Sequence, residues 1–227
     1  MTNETTTARN RFWIYLIIFF TVWAMRATVL YRIDQAIASD TWRLVYSNAV
    51  KLTVWVVPAL TYLKLVDGVR PFDYTKLTTR INPRGLAFAV ALTVAFLGIV
   101  IGAESLMRHA SPIALLAAPP SQILKTLASV SVSPLLEEIM FRGFVLRKLS
   151  EWSPFWRANL SSATLFALTH LPYWLWSGMA PLSFARNMAN VFLLGLLFGW
   201  VMQKSNSLWP AVGFHIANNF VSGILNR

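Results

Sequence analysis

The chain has 227 residues and a net charge of +11, yet only 13% of its residues are charged and 56% are hydrophobic. Its mean hydropathy is +0.53, and soluble domains carry roughly 25% charged residues, so composition points to one integral membrane domain, 1–227, with no separate soluble domain. The chain has no cysteine, which excludes disulfides, thiolate nucleophiles and Cys-based metal centres.

The first apolar segment is expected at about 12–30. It follows a basic start, as in a signal peptide, but no small-residue cleavage site follows it, so it reads as a retained membrane helix. The second, about 44–66, is interrupted by Lys51 and Pro58. Residues 64–85 form the longest polar stretch, with turn signals at Asp67-Gly68 and Asn82-Pro83. The third segment is about 85–106. Pro119-Pro120 then breaks any helix. The fourth segment covers about 121–149 and is expected to kink or restart near Pro134, with Ser133 as an N-cap. The fifth is about 157–176, the sixth about 184–203 and the seventh about 208–225. This predicts an all-α polytopic bundle of about seven to eight transmembrane helices. Residues 1–120 form its N-terminal part, and a core over 121–225 holds the site between helices of the C-terminal half.

The basic residues sit mainly in the connections, which argues for positive-inside topology and lipid headgroups rather than nucleic acid. With the N-terminus inside, one side takes Arg9, Arg11, Lys64, Arg70, Lys76, Arg80, Arg84, Arg147, Lys148, Arg157 and Lys204, eleven in all. The other takes five: Arg32, Arg43, Arg108, Arg186 and Arg227. The imbalance predicts a cytoplasmic N-terminus, and the polytopic architecture, short connections and lack of a cleavable signal suit a prokaryotic plasma (inner) membrane. The ten tryptophans fit interfacial belts, and the run Pro172–Met179, with Trp174 and Trp176, is read as one such belt.

Charged and imidazole side chains inside apolar segments are expensive and mark function. "EEIMFR" at 137–142 sets Glu138 and Arg142 four apart on one helical face, acid first, the favourable order for an ion pair. Glu137 points about 100° away, with no partner on its own helix, and is free to act as a general base. Of three histidines, His109 lies in a polar connection. His170 ends the fifth segment, four after Phe166, and His215 shares a helical face with Asn219. Lipid offers these groups no hydrogen bonds, so Glu137, His170, His215 and Asn219 are expected to meet around water between helices. The set supports two hydrolytic routes. One is a zinc site of the His₂Glu kind. The other is direct activation of water by a Glu–His pair, with a His and an Asn on the oxyanion. The residues alone do not choose between them. Gly195 and Gly199, in a G-x-x-x-G spacing, predict close packing against a helix of this chain or another, leaving a homo-oligomer open.

These segments resemble the three motifs of the CAAX protease and bacteriocin-processing (CPBP, or Abi) family, which includes the Ras-converting CAAX endopeptidases. EExxxR stands at 137–142, followed by Gly143. FxxxH is "FALTH" at 166–170, and HxxxN is "HIANN" at 215–219. The resemblance covers about 121–225. It implies a metal-free glutamic intramembrane endopeptidase. Glu137 and His170 would activate water, His215 and Asn219 would form the oxyanion hole, and Glu138 and Arg142 would hold the site together. The implied partners are the bilayer and a membrane-anchored protein or peptide, cut near its cytoplasmic end. A zinc-dependent protease, a non-proteolytic immunity or protein-sorting protein of the kind some relatives are linked to, and a proton-coupled transporter are the competing readings.

Overall fold

The computed structural model describes residues 3–225; Arg227, included in the charge count above, lies outside them. Among the described residues the fold is helical, with no strand. The helices are α1 Asn3–Ala27, α2 Tyr31–Ala36, α3 Asp40–Leu65, α4 Pro71–Tyr74, α5 Pro83–Arg108, α6 Pro112–Leu116, α7 Pro120–Ser131, α8 133–150, α9 Phe155–Leu168, α10 Leu171–Trp176, α11 Pro181–Ser205 and α12 Trp209–Leu225. The all-α membrane bundle read from hydropathy is the observed class. Among the described residues four stretches are long and apolar enough to cross a membrane: Thr6–Ala36, Asp40–Leu65, Pro83–Arg108 and Pro181–Ser205.

Several boundaries follow from local chemistry. α3 runs through Lys51 and Pro58 without a break. Pro58 has no N–H to donate and its ring crowds the carbonyl four residues back. The preceding turn, Leu52–Val56, widens to the π form, with the Val57 N–H bonded to the Leu52 carbonyl. That wide turn keeps the helix continuous around the proline. The Pro119-Pro120 break is present, between α6 and α7. α8 restarts after Ser131, as Pro134 predicts, but Ser133 is not its cap: the cap position is Val132, without a side-chain bond. The Ser133 hydroxyl is used elsewhere. The fifth segment is not one helix either. It ends at Leu168 and resumes as α10, leaving Thr169 and His170 at the corner.

A second wide turn covers Ile139–Leu146 in α8. There the Phe141 carbonyl accepts from the buried Ser162 hydroxyl of α9 at 2.9 Å. α9 and α11 pack closely where small residues allow it. A Cβ on Gly195 would come within 3.0 Å of Ala163, and one on Gly199 would overlap the Asn159 side chain. Asn159 itself donates to the Leu196 carbonyl at 3.0 Å. The G-x-x-x-G stripe therefore meets a helix of the same chain.

The two ends of the bundle differ. At one, Lys148 sits between Asp67 (3.1 Å) and Glu151 (2.7 Å), Tyr74 donates to Glu151, and the Trp209 indole donates to the Leu77 carbonyl. This end gathers the connections that carry the eleven basic residues. At the other, Arg26 pairs with Asp34 at 2.6 Å, Lys125 approaches Asp40 at 3.3 Å, and the Tyr31 and Tyr173 hydroxyls are 3.4 Å apart. His109 caps α5 there in a left-handed conformation, exposed, as its polar connection suggested.

Candidate active site

The innermost part of the site is an ionic knot. Arg142, 1% exposed, and Glu138, fully buried, pair across one turn of α8 at 3.1 Å. The other arm of the guanidinium donates to the Gly195 carbonyl of α11 at 3.2 Å. Its flat face lies between the rings of Phe166 (4.4 Å) and Phe198 (5.1 Å), an arrangement that favours arginine over lysine. Gly195 must be small, because a Cβ there would press on Ala163 and lie 3.4 Å from the guanidinium.

His215 of α12 completes the knot. Its Nδ1 is 2.9 Å from Glu138 Oε1 and its ring stacks on Phe198 at 4.6 Å. A carboxylate accepts, so Nδ1 carries the hydrogen and Nε2 of the neutral ring presents a lone pair. That Nε2 is 3.8 Å from Glu137 Oε2. His215 thus stands between the two glutamates, tied to the one and facing the other.

Glu137 is buried and not unpartnered. Lys51 of α3 forms an ion pair with its Oε1, and the Ser133 hydroxyl donates to the same oxygen at 2.8 Å. Lys51 also reaches Ser133 and lies over the Trp55 ring at 5.4 Å. The sequence reading, which treats Lys51 only as an interruption and leaves Glu137 alone, is corrected here. The partner comes from another helix, 86 residues away, where spacing along α8 gives no sign of it. The rule that singled out the glutamates, an ionisable side chain inside an apolar segment, applies equally to Lys51.

His170 sits at the α9–α10 corner. Its Nδ1 is 3.2 Å from the Phe166 carbonyl, so again Nδ1 is the donor and Nε2 is left as acceptor. The ring meets Phe166 edge-on at 5.3 Å and Trp174 at 5.2 Å. Glu137, Lys51, His170, Thr169 and Trp174 face a cavity of about 160 Å³, closed further by Trp23, Trp55 and Tyr173. At about 30 Å³ per molecule it holds about five waters. Trp174 is therefore a buried wall of this cavity and not part of an interfacial belt, whereas Trp176 is exposed. Asn219, half-buried, is one turn beyond His215 and accepts from Asn218 at 3.1 Å. It is not a wall of this cavity.

The geometry thus brings Glu137 and His170 to one cavity and joins Glu138, Arg142 and His215 beneath it, with Asn219 to one side. As a zinc site the arrangement fits poorly. Among the described residues no group of three or more His, Cys, Asp or Glu is placed to hold a metal ion. The Lys51 cation already occupies one Glu137 oxygen, although the Nδ1 bonds of both histidines, to a carbonyl and a carboxylate, are ones a zinc-ligating imidazole also makes.

Residues 119–221 match the family described as type II CAAX prenyl endopeptidase Rce1-like. No curated protein and no solved structure matches the chain. The matched stretch starts at the Pro119-Pro120 break and takes in Glu137, Glu138, Arg142, His170, His215 and Asn219. Over that stretch, a little under half its length, this multi-helix membrane protein is similar to the Rce1-like type II CAAX prenyl endopeptidases.

Proposed function

We propose that the protein hydrolyses a peptide bond of a membrane-anchored protein or peptide by direct activation of water, with no resident metal. The observation that carries this reading is the water-sized cavity between the buried Glu137 carboxylate and the acceptor nitrogen of His170. Glu137 Oε1 is held by Lys51 and Ser133, which fixes the carboxylate and leaves Oε2 as the working oxygen. A water there gives one proton to Glu137 or His170 as its oxygen attacks the scissile carbonyl carbon. The tetrahedral oxyanion is stabilised by donors on the far side of the carbonyl. The stored proton then passes to the amide nitrogen, the C–N bond breaks, and a carboxylic acid and an amine are released.

Asn219 supplies oxyanion donors from its Nδ2, since its Oδ1 is the atom engaged by Asn218. His215 acts as an oxyanion donor only when Nε2 also carries a proton, because its Nδ1 hydrogen is committed to Glu138. Glu138 and Arg142 position His215 rather than touch substrate. The N-terminus and the basic end of the bundle are cytoplasmic, by the excess of Lys and Arg in the connections.

The test compares membrane proteomes of the source cell carrying wild type or Glu137→Gln, reading new terminal peptides. A membrane protein that accumulates uncut in the variant is the expected result, and it identifies the substrate. No change in any terminus, with a phenotype that persists only on full deletion, would overturn the peptidase reading in favour of immunity or sorting. Stoichiometric zinc in pure active protein, lost together with activity, would overturn the metal-free mechanism.

A further inference from the structure

A second cavity, of about 240 Å³, lies at the basic end of the bundle and shares no wall residue with the Glu137–His170 cavity. It forms where three segments end: Tyr74 and Lys76 after α4, Arg147 and Glu151 at the end of α8, and Gln203 and Asn206 at the end of α11. Arg147 Nε is buried without a hydrogen-bond partner, and its guanidinium rests on the Tyr74 ring at 4.8 Å. Lys76 is half-buried beside it, and burial together with the Arg147 charge lowers the Lys76 pKa. Among the described residues neither cation is in an ion pair. The carboxylate in the wall is already engaged, since Glu151 accepts from Tyr74 and, at 2.7 Å, from Lys148. Two like charges thus face one space with no free acid between them, which costs energy unless an anion joins them.

Positive charge near helix C-termini is favourable by itself, yet neither cation bonds a carbonyl there. The Ser205 carbonyl accepts from the Asn82 N–H at 2.9 Å, and the Lys76 carbonyl from the Leu208 N–H at 3.2 Å. The backbone carries a second sign. Lys76 and Asn206 are both left-handed, at φ 62° and 55°. Such positions suit glycine or asparagine, so a lysine at 76 contributes its side chain and not an easier turn. The depth of the cavity is set by α11. That helix is one of the stretches able to cross a membrane, and the cavity takes its last turn. Trp209, just beyond, is exposed, as interfacial indoles are. Lipid headgroups lie at this level.

We infer that this cavity is a phosphate site, with Lys76 and Arg147 as its charged donors and the Gln203 and Asn206 amides as neutral ones, and that it takes the headgroup of an anionic phospholipid. Several donors from three segments match a group with several acceptor oxygens. The space equals about eight waters at about 30 Å³ each, room for a phosphate and the first atoms of its ester. The site needs neither the peptidase chemistry nor a particular side of the membrane for the basic end.

The full chain is purified in detergent and stripped of lipid. Its unfolding midpoint is followed with phosphatidylglycerol, with phosphatidylcholine, and with inorganic phosphate at matched ionic strength. Lys76→Gly removes the cation and leaves a residue that suits the left-handed backbone, so its midpoint without lipid is expected to stay at or above wild type. Wild type is expected to rise by about 5–10 °C once phosphatidylglycerol exceeds its Kd about a hundredfold, and by less with phosphatidylcholine. Lys76→Gly and Arg147→Gln are each expected to need about tenfold more phosphatidylglycerol for the same rise, the scale of losing one charged hydrogen bond. Lys204→Gln, exposed at the same end but outside the cavity, keeps the wild-type response. If Arg147→Gln does not fold, Lys76→Gly decides. No preference for phosphatidylglycerol, or a loss in Lys204→Gln as large as in Lys76→Gly, would overturn the inference, the latter by reducing it to diffuse surface charge. A Lys76-dependent rise with inorganic phosphate and none with phosphatidylglycerol would keep the phosphate site and overturn the lipid as its source.

Discussion

Arg142→Ala is the sharpest perturbation of the ionic knot. The substitution removes the cation paired with the fully buried Glu138, and breaking a buried pair by deleting one partner costs about 3–5 kcal/mol. It also removes a charge sandwiched by two rings, worth about 1–2 kcal/mol when desolvated. The Gly195 carbonyl loses little, because it lies inside α11. His215 Nδ1 still reaches Glu138 and offsets part of the loss, so the total is placed at about 4 kcal/mol. At about 2–4 °C per kcal/mol for a domain of 150–250 residues, the midpoint falls by roughly 10 °C. Thermal unfolding of the purified protein in detergent, followed by monodispersity or tryptophan fluorescence, reads it. The paired variant Glu138→Gln/Arg142→Met removes both charges at similar volume and is expected to recover half or more of the loss, since two neutral groups need no counter-ion. A single variant within about 2 °C of wild type, less than the loss of 1 kcal/mol predicts, refutes the pairing argument. A double variant worse than Arg142→Ala refutes the assignment of the loss to an orphaned charge.

Glu137→Gln is expected to abolish cleavage and leave the unfolding midpoint near wild type, because volume is kept and Lys51 retains Ser133 as acceptor; a large fall in midpoint would make Glu137 structural. Asn219→Ala is expected to lower turnover about a hundredfold, the scale of losing one oxyanion donor, and normal turnover removes it from the site. Gly199→Ala drives a Cβ into the Asn159 side chain and is expected to cost about 1–3 kcal/mol; Asn159→Ala in the same chain restores most of it if that overlap is the cause, and none if it is not.

The helical class, the break at Pro119-Pro120, the restart before Pro134 and the polar residues worth attention were all legible because each is a local property. Apolar runs, prolines and charges in grease are written into the chain one segment at a time. The Glu138–Arg142 pair was legible for the same reason, since both side chains lie on one turn. What was not legible is tertiary. Lys51 meets Glu137 only because α3 packs beside α8, and although Pro172, in the first turn of α10, marks the break at Thr169 and His170, it does not say that Trp174 turns inward after it. Ser133 looked like a cap by position but is drawn to a carboxylate one turn ahead. The Gly195–Gly199 stripe was visible, and its partner helix was not.

The Lys51–Glu137 pair also constrains how the site must work. In the state described, a carboxylate oxygen, a lysine and a serine satisfy one another, and the remaining space holds a few waters and no peptide. An extended backbone needs the Trp23, Tyr173 and Trp174 walls to part. The carbonyl it brings must lie opposite Glu137 Oε2, on the side where His170 presents its acceptor nitrogen. Lys51 need not leave for this to happen, because it holds Oε1. If instead it had to move off the carboxylate, Lys51→Met would raise activity by removing a competitor. If it fixes the carboxylate, Lys51→Met lowers turnover with little change in KM and Lys51→Arg restores part of it, since binding is left untouched and only the alignment of the base is lost. The shared Ser133 favours the second outcome: a hydroxyl that touches both the ammonium and the carboxylate braces a permanent pair, whereas a transient lock would need only the two charges.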